Sequence, residues 1–121
     1  MQIKPLPYDL TVCKLASEKD IPAALPFCFT AVTDEEISLV CPTAAVPAGA
    51  THHEEGWKAF RIAGTLDFSL IGILAAISAL LAAQQIGIFA VSTFNTDYIL
   101  VKERDFDKAL TVLAEAGYTV L

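Results

Sequence analysis

Between Asp67 and Asp97 the chain carries no charged residue, and within that interval LIGILAAISALLAA (residues 70–83) is an apolar run of 14. Such a segment must leave water, either across a bilayer or as a packed helix. A spanning helix needs about 20 apolar residues. This run is shorter and is closed by Gln84 and Gln85 ahead of Gly87, so a packed helix is expected and no membrane is. Leu70, Ile73, Leu74, Ile77, Leu80 and Leu81 recur at the i, i+3, i+4, i+7 spacing of one helical face. Ala75, Ala76, Ala79, Ala82 and Ala83 leave the other surface small enough for a second element or subunit to approach. Gly87 is the expected C-cap.

The flanking residues complete a pattern. WKAFRIAG (57–64) alternates as a strand, with Lys58, Phe60 and Ile62 on one face and Trp57, Ala59, Arg61 and Ala63 on the other. IFAVSTF and DYILVKE are β-branched and aromatic strands about a turn at Asn95-Thr96. RDFDKALTVLAEAG is a second helix, with Asp105 as N-cap, Phe106, Ala109, Leu110 and Leu113 as its stripe and Gly117 at its end. YTVL adds a last strand. The order β-α-β-β-α-β over 57–121 predicts an α+β, ferredoxin-like arrangement, an antiparallel four-stranded sheet with both helices on one face. Strand 88–94 is apolar on both faces, which favours a covered second face as well.

Residues 1–56 are built differently. YDLTVCKLA, PFCFTAVT and EISLVCP read as three strands, the last two joined by a turn at Thr33-Asp34-Glu35. SEKDIPAAL, interrupted by Pro22, has room for one helical turn. PTAAVPAGATHHEEG (42–56) has no sustained period and reads as a connector, so the chain divides into units 1–56 and 57–121.

Composition narrows the function. With 55% hydrophobic and 18% charged residues the 121-residue chain is of the folded class. Its net charge is -6 and its eight Lys and Arg are scattered, so no basic stripe is available for nucleic acid. Cys13, Cys28 and Cys41 are odd in number and widely spaced, which suits buried free thiols in a reducing cytoplasm better than a disulfide framework. MQIKPLPYDL lacks the apolar core of a secretory signal, and a cytoplasmic location is expected. His52-His53-Glu54-Glu55 offers no recognised zinc spacing and reads as solvated connector. No metal, no cofactor and no catalytic constellation is expected, hence no enzyme.

The loop-to-helix start TLDFSLIGIL, the hairpin GIFAVSTFNTDYILV and the helix FDKALTVLAEAG, in that order, resemble the ACT domain, a small regulatory module that binds amino acids. The likeness covers 57–121 and is nearest to the tandem branch related to aspartokinase regulatory regions and CASTOR-type arginine sensors. Ser92, Thr93, Phe94, Thr96, Asp97, Tyr98, Ile99, Leu100 and Val101 match the family's hairpin pattern. Residues 1–56 match weakly, as a degenerate, strand-rich ACT-like unit whose helix slots hold SEKDIPAAL and PTAAVPAGATHHEE.

A free amino acid presents a carboxylate and an ammonium. The first wants N–H donors of the kind found at a helix N-terminus, and the second wants an acceptor. Asp67, Phe68, Ser69, Leu70 and Ile71 open the first helix, where Gly72 permits close approach, and Asp97 is the charged acceptor on the neighbouring hairpin. Thr93, Asn95 and Thr96 can add neutral hydrogen bonds. In the family the ligand lies between such a loop and such a strand, usually where two ACT units meet. The resemblance therefore implies ligand-binding roles for Asp67, Phe68, Ser69, Leu70, Ile71, Thr93, Asn95 and Asp97. The residue types alone leave two plainer roles open: Asp67 and Ser69 as helix caps, and Asn95 and Asp97 as turn formers. The expected protein is a sensor of a free amino acid, homodimeric, acting on a regulated enzyme or protein partner. The alternative is a ligand-free interaction module with the same fold.

Overall fold

The computed structural model describes residues 1–63 and 71–121. These form β1 (Gln2–Pro5), β2 (Leu10–Leu15), β3 (Phe29–Val32), β4 (Ile37–Pro42), β5 (Ala50–Ile62), α1 (Ile73–Ala83), β6 (Phe89–Ser92), β7 (Asp97–Lys102), α2 (Glu103–Glu115) and β8 (Thr119–Val120). The chain divides into two compact units, one of Tyr8–Trp57 and one of Lys58–Leu121 together with Met1–Pro7. The boundary expected from the sequence is 56/57, with Met1–Pro7 in the first unit; here those seven residues join Lys58–Leu121. No helix among the described residues is long and apolar enough to cross a membrane.

The unit containing α1 and α2 has the ferredoxin-like α+β order with one addition. Its strands run β6-β7-β5-β1-β8. The expected four-stranded antiparallel sheet is a five-stranded mixed one, because β1 enters between β5 and β8. It pairs antiparallel with β5 (Ile3↔Ile62, Pro5↔Phe60) and parallel with β8 (Gln2↔Thr119, Ile3↔Val120). Within QIKP only Ile3 is buried, at 0% exposure. One apolar residue gives no readable alternation, which is why sequence periodicity does not disclose this strand.

Both helices cover one face. Phe60, Ile62, Ile99 and Val101 from the strands meet Ile77 and Leu81 of α1 and Phe106, Ala109 and Leu113 of α2 in one cluster. The other face carries Ala59 and Leu100, fully buried, with Phe89, Val91 and Tyr98 half-buried beside them.

The helix ends correct three expectations. α1 starts at Ile73, with Gly72 at the cap position in a left-handed conformation (φ 81) that only glycine adopts without strain. It closes at Gln85 (φ 60), not Gly87. Gln85 and Ile86 donate to Ala82 and Leu81 (2.9 and 3.0 Å), and Ile86 folds back into the core, so the reversal has to precede it. α2 repeats this closure: Gly117 and Tyr118 donate to Ala114 and Leu113, as the expected Gly117 end requires. Its start lies at Glu103, so Asp105 sits in the first turn, where its charge favours the helix dipole, and does not cap.

The Tyr8–Trp57 unit has strand order β3-β4-β2-β5, all antiparallel. β5 begins at Ala50, so His52, His53, Glu54 and Glu55 are exposed strand residues and not connector. Each helix slot holds a single 3-10 turn, Glu18–Asp20 and Thr43–Ala45. The Ser17 hydroxyl accepts from the Lys19 N–H (3.2 Å), and the Asp20 carboxyl fills the space a Cβ on Gly49 would need. Cys13, Leu15, Leu39 and Cys41 form the core beneath Ile21, Leu25 and Val46. Cys13 and Cys41 are buried as expected, but Cys28 is exposed. Burial, reinforced by the neighbouring Cys13 and Cys28, pushes the Cys41 thiol up from 9.0 to about 11; burial also raises Cys13.

Two outcomes are expected. Ile3→Ala removes a fully buried side chain and should cost about 2–5 kcal/mol in urea unfolding. A thiol whose pKa is higher folded than unfolded contributes stability below pH 9 that is lost as pH rises through about 11. Melting temperature should therefore fall over that window, and the fall should be shallower in Cys13→Ala/Cys41→Ala, read as the difference between the two pH profiles.

Candidate functional site

β6 and β7 form a hairpin in which Ser92 faces Asp97 across the loop Thr93-Phe94-Asn95-Thr96. The loop is closed by the Thr93 N–H and the Thr93 Oγ1 hydroxyl, both donating to the Thr96 carbonyl at 2.9 Å. Thr96, only 5% exposed, turns inward and its Oγ1 donates to the Ile62 carbonyl at 2.9 Å. That bond fixes the hairpin beside the end of β5, from which the chain leaves toward α1. The hydroxyl protons of Thr93 and Thr96 are thus used within the protein, and these oxygens face further partners as acceptors.

Asp97 is half-buried, and its Oδ1 accepts from the Ser92 hydroxyl at 2.6 Å. A hydroxyl-to-carboxylate bond of that length is of the charge-assisted kind. It restrains one oxygen and leaves the carboxylate with further acceptor capacity. Ser92 was not among the predicted site residues. Its signal was its place directly opposite Asp97, at the residue that immediately precedes the four-residue loop. Asn95 is exposed at the tip.

Backbone bonds place further groups at the same end of this unit. Ala63, just after β5, donates to Gln2, and Thr119 donates to Met1. There a cleft of about 370 Å³ is lined by Met1, Ile71, Gly72, Ile73, Ala76, Ala116, Gly117 and Tyr118. Of the predicted residues that are described, Ile71, 95% exposed, lines it, and Thr93, Asn95 and Asp97 do not. Asp67, Phe68, Ser69 and Leu70 lie outside the described residues. Met1, Ala116, Gly117 and Tyr118 escaped sequence reasoning because β1 and the end of α2 meet there only through tertiary pairing.

The other unit contains the same hairpin. Val32 faces Ile37 across Thr33-Asp34-Glu35-Glu36, and the Thr33 N–H donates to the Glu36 carbonyl at 2.9 Å, with Thr33 Oγ1 on the same carbonyl at 3.3 Å. β4 and β7 share one burial sequence, two half-buried residues, three buried and one half-buried. Phe29–Pro42 and Phe89–Lys102 are therefore structural counterparts. Their chemistry differs: Ile37 stands where the other hairpin has Asp97, and Val32 where it has Ser92. A cleft of about 500 Å³ at this second hairpin is lined by Lys14, Leu15, Ala16, Thr33, Asp34, Glu35, Glu36, Ile37, Thr51 and His52. Among the described residues no group of three or more His, Cys, Asp or Glu is arranged to hold a metal.

Thr96→Val keeps the shape of the side chain but leaves the Ile62 carbonyl without its buried donor. It should destabilise the chain by about 1–3 kcal/mol, and Thr96→Ser should restore most of the loss in the same denaturation measurement.

The comparisons agree with this architecture. The ACT-domain profile matches residues 52–115, more than half of the chain. Among solved structures, an Agobacterium tumefaciens protein is 32% identical with TM-score 0.87, over 99% of this chain and 91% of that one. A Vibrio cholerae protein described as a possible transport protein is 21% identical with TM-score 0.71, over 94% and 88%. The regulatory subunit of aspartate kinase from Thermus thermophilus is 12% identical with TM-score 0.62, over 97% and 98%, and at that identity the likeness speaks to fold alone. Profile, strand order and paired helices agree, and the chain belongs to the ACT-domain family.

Proposed function

We propose that this chain is a non-enzymatic regulatory protein that binds a free amino acid at the hairpin end of its Lys58–Leu121 unit. ACT domains are regulatory, amino-acid-sensing modules, and the observation that carries the reading here is the Asp97 carboxylate. Ser92 holds one of its oxygens, and the Thr96 bond keeps the hairpin beside the strand that leads to α1. A carboxylate restrained in this way is suited to receive an ammonium, or the cation of a basic side chain, without first losing its own freedom. Asp67, Phe68, Ser69, Leu70 and Ile71 would receive the carboxylate end of the ligand, and Thr93 and Asn95 would add neutral contacts.

The Tyr8–Trp57 unit serves in this reading as a degenerate ACT-like repeat. With Ile37 and Val32 in place of Asp97 and Ser92, its hairpin keeps the geometry without that acceptor pair, so one ligand per chain is expected. The assembly is a cytoplasmic homodimer, and ligand acts on an enzyme or protein partner by favouring one arrangement of the dimer over another.

A thermal-shift and calorimetric screen of the purified chain against the twenty amino acids tests this. A ligand at 100 times its dissociation constant adds about 2.7 kcal/mol of stability, and Asp97→Asn should abolish the response while Ser92→Ala weakens it. Indifference to every amino acid would replace the sensor with a ligand-free interaction module.

A further inference from the structure

We propose that Cys28 and Cys41 are a site of reversible oxidation, closing a cross-strand disulfide when the chain meets a hydroperoxide. The register between β3 and β4 pairs Thr30 with Leu39 and Phe29 with Val40. Extended one residue beyond the ladder, which ends at Phe29, the same register would bring Cys28 opposite Cys41. Facing residues of an antiparallel pair have Cα atoms about 4.5–5.5 Å apart, inside the range of about 4.4–6.8 Å that a disulfide spans.

Cys13 is the competing partner, since its sulfur shares a hydrogen bond with Cys41. Yet β2 pairs Thr11 with Cys41 and Cys13 with Leu39, which makes Cys13 a diagonal neighbour of Cys41. Diagonal positions lie about 7–8 Å apart, too far for a bond unless the backbone moves. Solvent access separates the roles: Cys28 is exposed, whereas Cys13 and Cys41 are 3% and 0% exposed. Cys28 is therefore the thiol a peroxide meets first, and Cys41 is the one that resolves the product.

The chemistry balances with hydrogen peroxide as oxidant. Cys28 Sγ, as thiolate, attacks one peroxide oxygen; the O–O bond breaks, Cys28 becomes a sulfenic acid, and the departing hydroxide takes up the thiol's proton as water. Cys41 Sγ then attacks Cys28 Sγ. The S–O bond breaks and the hydroxyl leaves as a second water with the proton of Cys41. Two thiols are oxidised to one disulfide and one peroxide is reduced to two waters. The bond ties the segment ahead of β3 to β4.

Hydrogen peroxide titration of the purified chain, with thiol counting and peptide mass mapping on non-reduced digests, tests the assignment. The expected product joins the Cys28 and Cys41 peptides within one chain, leaves Cys13 as a free thiol, and reverts with dithiothreitol. Cys28→Ser, an exposed replacement whose fold is checked by thermal unfolding, should keep both remaining thiols reduced at the same exposure. A Cys13–Cys41 bond, a bond between the Cys28 residues of two chains, or Cys28 carried to sulfinic acid with Cys41 still free would each overturn the proposal.

Discussion

The sheet of the two-helix unit is held around a strand of four residues. β1 takes Ala63 N–H on Gln2 and Leu121 N–H on Ile3, Leu6 just after it gives its N–H to Ala59, and so β5 is satisfied on one side and β8 on the other. Without it, the inner edges of both neighbours would carry unpaired backbone groups, and the helix-side cluster would lose Ile3. β8, only two residues long, is secured almost wholly by this parallel pairing. The hairpin at which ligand binding is proposed hangs on the opposite side of β5, through Thr96 and Ile62. Its position therefore depends on β5 being held from both sides.

The two units are variations on one theme with different use of helices. In one, α1 and α2 supply Ile77, Leu81, Phe106, Ala109 and Leu113 to the core. In the other, single turns and irregular chain do the same work with Ile21, Leu25 and Val46 over a smaller set of strand residues. The hairpins survive this shortening because their stability is local: a threonine at the start of each loop caps the carbonyl at its end. What differs is the facing pair just outside the loop, polar in one unit and apolar in the other.

The legible parts of the sequence were those with sustained periodicity. The stripe from Ile73 to Leu81, the alternation of β2, the apolar β-rich runs of β4 and β7, and Gly117 as a helix end were all readable, because each depends on neighbours within one turn or one strand. β1 was hidden, as its single buried residue, Ile3, has meaning only beside Ile62 and Val120. The early start of β5 was hidden too, because THHEE is exposed and polar and looks like linker unless β2 is known to run beside it. At the site, Asp97 was visible as a charge in an apolar stretch. Ser92 and Thr96 were not assigned their parts, since those depend on which residue faces which across the hairpin and on a carbonyl 34 positions away.

The pairing of β1 with β8 sets an order of assembly. Tyr8–Trp57 is contiguous, and its hairpin and four-stranded sheet form from contacts within fifty residues. The other unit brings Gln2 beside Thr119, so its sheet stays open until the chain through Thr119 is present. Contacts of such separation form late, because the loop between them must be closed first. β1 therefore gains its second partner only after the contacts of the contiguous unit can already have formed, and the sheet that carries the proposed sensing end closes later than the other.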